Sequence, residues 1–132
     1  MTGTITGTKS TGFGGKLYIL SWKCDASGDG AVWLNADLAL GLITGTLEFI
    51  ETAPGENGDL TTDLPTASYD VYLKDAYGFD WAEAGVDDRS GTVAEKYVPT
   101  TPPMLIGQDM QLVIDNAGDA KRGRVLIGVK SL

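Results

Sequence analysis

The chain has 132 residues, a formal charge of −8, 42% hydrophobic and 21% charged residues, proportions that suit one globular domain with a core of its own. The acidic balance argues against nucleic acid as a partner, and no apolar run reaches the roughly 18 residues that a membrane span needs. One cysteine excludes an intrachain disulfide, and the lack of histidine excludes Ser-His-Asp triads, Cys-His pairs and His-based zinc sites.

The first 15 residues are mostly Thr, Gly and Ser and lack the basic and apolar regions of a secretory signal. They read as a flexible N-terminal arm or an edge segment that orders against a partner, ahead of a single domain over 16–132. The first predicted strand is Lys16–Cys24, with Tyr18, Leu20, Trp22 and Cys24 on one face and Leu17, Ile19, Ser21 and Lys23 on the other. Asp25–Gly30 is a turn that partly matches the start of a calcium loop. Its twelfth position is Ala36, where a bidentate Glu is required. Solvated turn acids explain it better. Ala31–Leu34 reads as a strand, and 35–40 as either a bend or one helical turn.

Thr46–Thr52 alternates, with Leu47 and Phe49 on one face and Thr46, Glu48 and Ile50 on the other. After a loop rich in Pro, Gly and Asp comes a strand at Tyr69–Asp75, with Tyr69, Val71 and Leu73 inward. Residues 82–108 are the least regular, and Pro99, Pro102 and Pro103 exclude regular structure around 98–104. Two strands close the chain, Asp109–Asp115 and Arg124–Lys130, read as a hairpin with Met110, Leu112 and Ile114 facing the core opposite Val125, Ile127 and Val129. Short strands with turn-rich joins and no long helix predict an all-β antiparallel sandwich, jelly-roll or immunoglobulin-like.

No constellation here favours catalysis. Cys24 reads as a small core residue. The closest carboxylate pairs, Asp25 with Asp29, Asp75 with Asp80 and Asp87 with Asp88, lie in loops and at strand ends rather than on a strand face among aromatics. Lys121, Arg122 and Arg124 form a small basic group beside Asp115 and Asp119. The aromatic turn Tyr77-Gly78-Phe79-Asp80-Trp81 stands out, because three large rings around one glycine are too many for one turn to bury. It reads as a protein contact or a ligand platform, and no cofactor or metal is expected.

The order of several phrases adds a resemblance. Gly45-Thr46-Leu47, Phe49-Ile50, Pro54-Gly55, Pro65-Thr66, Tyr69-Asp70-Val71, Gly78 and Asp80, followed by Leu112-Val113-Ile114-Asp115-Asn116-Ala117-Gly118 and preceded by Trp22, Asp25 and Gly28, resembles small virion structural proteins of tailed bacteriophages. The resemblance spans about residues 16–131. It implies a capsid decoration or cement protein, a jelly-roll sandwich on the outer face of the shell, made in the bacterial cytoplasm and assembled as a homodimer or homotrimer on the major capsid protein. Tyr77, Phe79 and Trp81 would supply partner contacts, with Thr2, Thr4, Ile5 and Phe13 of the arm. Trp81 stands where a small aliphatic is more usual, and residues 82–108 match nothing in the family. A tail or head-fibre location and a carbohydrate-binding module stay open as alternatives.

Overall fold

A computed structural model of the chain describes residues 3–12, 14–34, 42–66 and 68–132, without the side chains at 11, 12, 32 and 33. Among the described residues, nine strands form two antiparallel sheets. In the larger sheet β1 (Gly3–Gly12) pairs with β2 (Gly15–Cys24), β2 with β9 (Arg122–Lys130), and β9 with β4 (Ile43–Pro54). The far edge of β4 carries two short strands in succession, β7 (Met104–Gln108) along its start and β6 (Glu95–Tyr97) near its end. The smaller sheet runs β3 (Gly30–Trp33), β8 (Gln111–Asp115) and β5 (Asp70–Lys74). The fold is therefore an all-β antiparallel sandwich.

Period-two alternation builds its core. Tyr18, Leu20, Trp22 and Cys24 of β2 and Val125, Ile127 and Val129 of β9 face Val71 and Leu73 of β5 and Leu112 and Ile114 of β8, all buried. Each aliphatic side chain so enclosed contributes about 1.5–3 kcal/mol. Trp22 meets Tyr69 across the sandwich, ring centroids 5.5 Å apart.

Three expectations are narrowed or changed. The N-terminal segment, read as a flexible arm or an edge segment, takes the second form over Gly3–Gly12, as edge strand β1 paired with β2 along its length. Its threonines suit a strand, and its glycines mark close approach rather than slack: a Cβ at Gly3 would collide with the Lys23 carbonyl, and one at Gly7 with Leu20. Next, β8 and β9 are not a hairpin. They belong to different sheets, and the 116–121 loop carries the chain from one to the other. Alternation identified their inward faces but could not identify their partners. Finally, a bulge between Leu47 and Phe49 against β9 shifts the phase of β4. Leu47, Ile50 and Thr52 are buried, and Phe49 lies part-exposed over Gly128 with the Lys96 ammonium 4.4 Å from its ring.

The irregular stretch also carries more order than its sequence suggested. It contains β6 and β7, and its earlier half seals the free edge of β5. The Trp81 amide donates to the Leu73 carbonyl (2.8 Å), Val71 to Val86 (3.0 Å) and Arg89 to Tyr69 (2.6 Å), while Ala82 and Val86 plug the gap. The possible helical turn at 35–40 lies outside the described residues.

Two glycines of β9 differ in what stands over them. A Cβ at Gly123 would collide with the indole of Trp22, which is buried; a Cβ at Gly128 would meet Phe49, which is part-exposed. Gly123→Ala should therefore cost about 1–3 kcal/mol in urea unfolding. Gly128→Ala should cost clearly less, because Phe49 has solvent to swing into.

Candidate functional site

The aromatic turn begins where β5 ends, and two carboxylates shape it. Asp75 Oδ1 accepts the amides of Tyr77 (2.9 Å) and Phe79 (3.1 Å), and its Oδ2 accepts the Trp81 indole N–H (3.1 Å). Gly78 sits at φ 86° with open space where a Cβ would be, so the turn itself selects glycine. Asp80 accepts the amides of Leu73 (3.2 Å), Ala82 (3.0 Å) and Ala84 (3.1 Å), fixing the departure from the turn. The acids paired in sequence thus act as backbone acceptors.

The three predicted contact residues take different positions. Tyr77 is 97% exposed at the tip, and Phe79 is 47% exposed. Trp81 is half-buried against the core and meets Phe79 edge to face, centroids 5.2 Å apart at 85°. Phe79 and Trp81 form one wall of a groove of about 420 Å³ whose other side is Tyr97, Pro99 and Pro103, with Glu83 and the Thr100–Thr101 pair completing it. A Cβ at Gly85 would collide with the Tyr97 ring, so the ring is seated on that glycine. Sequence reasoning missed Glu83, Tyr97, Pro99 and Pro103 as parts of a site. The available signal was a tyrosine followed by a proline run. Only the pairing of β6 with β4, at Tyr97↔Ile50, places that run beside the turn.

The N-terminal candidates do not join this site. Ile5 is 5% exposed and part of the core, so its side chain is not offered to a partner. Thr4 is exposed, and with Thr6, Ser21, Lys23, Asn57 and Arg122 it lines a shallow depression of about 270 Å³. β1 and β6 are the two ends of the larger sheet's strand order, about 19 Å apart at the usual strand spacing. Thr2 and Phe13 lie outside the described residues.

Of the other groups singled out in the sequence, Cys24, Asp25, Asp115, Arg122 and Arg124 are held within the fold. Burial, then the charges of Asp29, Asp25 and Asp115, push the Cys24 thiol up to about 12, so it stays protonated in the core at neutral pH. Asp25 Oδ1 accepts the amide and hydroxyl of Ser27 (2.8 and 2.6 Å), closing the Asp25–Gly30 turn. A hydrogen bond with Asp29, followed by burial, raises the Asp115 carboxyl. Among the described residues, no group of three or more acids or cysteines is arranged to hold a metal ion. Arg122 pairs with Glu56 (3.1 Å) and Asp63 (3.3 Å), and Arg124 with Glu51 (3.4 Å), so most of the basic group is neutralised in place.

Compared with known proteins, the chain matches no family model, and no curated protein or solved structure matches it at a significant level.

Burial raises the Asp75 carboxyl, but the amides of Tyr77 and Phe79, the Trp81 indole and the Gly78 amide together outweigh it, so it titrates below its ordinary value of 3.8. A depressed carboxyl stabilises the fold above the unfolded value, and that contribution disappears as pH falls through the folded value. The Trp81 indole proton should therefore shift in an NMR titration with a midpoint below 3.8. In Asp75→Asn that transition should be absent.

Proposed function

We propose that the chain is a non-enzymatic binding protein of a virion, seated on the outside of the capsid shell and strengthening it across subunit joints. The observation that supports binding most directly is the pinned aromatic turn. Tyr77 and Phe79 project apolar surface into solvent, and Asp75 fixes their backbone before any partner arrives. A rigid, exposed aromatic pair loses little entropy on docking, which is how contact hot spots are commonly built. The virion assignment rests on the resemblance of the ordered phrases to those of phage structural proteins. The acidic surface is compatible with it, since a charge of −8 keeps such a protein from competing for packaged DNA. Assembly as a homodimer or homotrimer belongs to the same reading.

A carbohydrate-binding role is the second reading. It draws support from the groove, whose volume and mixture of rings with the Thr100 and Thr101 hydroxyls suit a small saccharide.

Capsids purified without this protein and then mixed with it provide the test. Wild type should bind at a saturating, capsid-like copy number and raise the temperature at which the shells break. The double substitution Tyr77→Ser with Phe79→Ala should weaken binding by about ten-fold or more while leaving the unfolding midpoint nearly unchanged. Binding untouched by the double change places the contact elsewhere, and no binding at all removes the virion reading. A saturable glycan-array signal lost with Trp81→Phe favours the carbohydrate reading.

A further inference from the structure

We infer that the groove between Trp81 and Tyr97 receives a cationic side chain, arginine or lysine, from a basic segment of the partner. This rests on the reading of the aromatic turn as a docking site and says what that site selects.

The first argument is the chemistry of the walls. Phe79 and Trp81 stand nearly perpendicular, 85° at 5.2 Å, so a group entering beside them meets a ring face as well as a ring edge. Tyr97 supplies a third ring across the groove. Ring faces are electron-rich and attract ammonium or guanidinium groups, tryptophan most strongly. The second argument is Glu83. It is the one charged residue lining the groove among the described residues, and its carboxylate has no hydrogen-bond or ion-pair partner among them. Its backbone is held at φ 49°, next to Ala84 at φ 63°, a conformation that costs a non-glycine residue energy and that the Asp80 carboxylate maintains.

The third argument is charge complementarity. From 75 to 89 the chain carries Asp75, Asp80, Glu83, Asp87 and Asp88 against one cation, Arg89, whose guanidinium is already held by the carbonyls of Asp87 (3.3 Å) and Gly85 (3.1 Å). The neighbouring lysines are already seated elsewhere: Lys74 lies 5.0 Å from the centre of the Tyr72 ring and Lys96 4.4 Å from that of Phe49. The protein thus uses the same pairing for these two cations of its own, while among the described residues none is recorded over the ring cluster beside Glu83. A volume of about 420 Å³ holds one long basic side chain together with the backbone on either side of it. An acidic or phosphorylated partner would meet repulsion from the Glu83 carboxylate.

The test uses the full chain and small probes. N-acetyl-arginine amide and its neutral isostere N-acetyl-citrulline amide are titrated in turn while the indole proton of Trp81 and the amides of Phe79, Glu83 and Thr100 are followed by NMR. The arginine probe should shift these resonances saturably, with a dissociation constant on the order of millimolar. The citrulline probe should bind about ten-fold more weakly, a difference within the range of a desolvated cation–π contact. Glu83→Gln, at an exposed site, should weaken the arginine probe about three-fold and reduce its salt sensitivity.

Equal binding of the two probes overturns the inference, as does a groove that responds to neither. A response to neutral oligosaccharides without one to arginine also overturns it and assigns the groove to sugar. The two readings fail separately. Capsid binding that depends on Phe79 but comes with no arginine response removes this inference alone. An arginine response in a protein that ignores capsids removes the virion reading and leaves the cationic site standing.

Discussion

The larger sheet depends on one strand having two partners. β9 lies between β2 and β4, and neither of those reaches the other without it. Its inward residues Val125, Ile127 and Val129 occupy the middle of the core, and its glycines make room for rings on both faces, Trp22 within and Phe49 without. Trp22 in turn contacts Tyr69, which leads into the smaller sheet. The lateral order of one sheet and the closure of the sandwich thus share a single strand. The edge of β4 that β9 leaves free carries β6, which holds Tyr97 over the groove.

The candidate site follows from how the fold closes its flank. β5 is an edge strand, and the segment after it doubles back to satisfy that edge with backbone hydrogen bonds. Asp75 and Asp80 make the reversal tight by accepting amides that the turn would otherwise leave to water. Closing the edge this way pushes Tyr77 and Phe79 outward and draws Trp81 inward. The exposed aromatic surface is therefore a product of edge protection, with Ala82 and Val86 as the buried half of the same segment.

Much of this was legible along the chain wherever one face is buried and the other wet. The inward sets of β2, β5, β8 and β9 could be read directly, because alternation records burial. Pairing could not be read so easily. β8 and β9 are neighbours in sequence with a polar loop between them, which imitates a hairpin, while the loop in fact changes sheets. The bulge at Glu48 escaped because an extra residue shows itself only against a partner strand. Thr/Gly composition at the N-terminus suggested slack, whereas close contact between β1 and β2 is what demands glycine there. The aromatic turn was visible from Tyr77-Gly78-Phe79-Asp80-Trp81 alone. Its opposite wall was not, because Tyr97 and Pro103 reach it only through long-range pairing.

The place of β9 in chain order has a consequence for how the protein is made. Every other described strand leaves the ribosome before the strand that joins them. Until β9 emerges, β2 and β4 have no common neighbour, and their inner edges are unpaired strands of ten and twelve residues. Such edges invite pairing with other nascent chains. The nascent chain thus passes through a vulnerable stage that ends only when β9 inserts, and contacts of such long sequence separation form slowly. A chain stalled short of residue 122 would lack the strand that unites the larger sheet, and its fate would depend on chaperones that shield open edges.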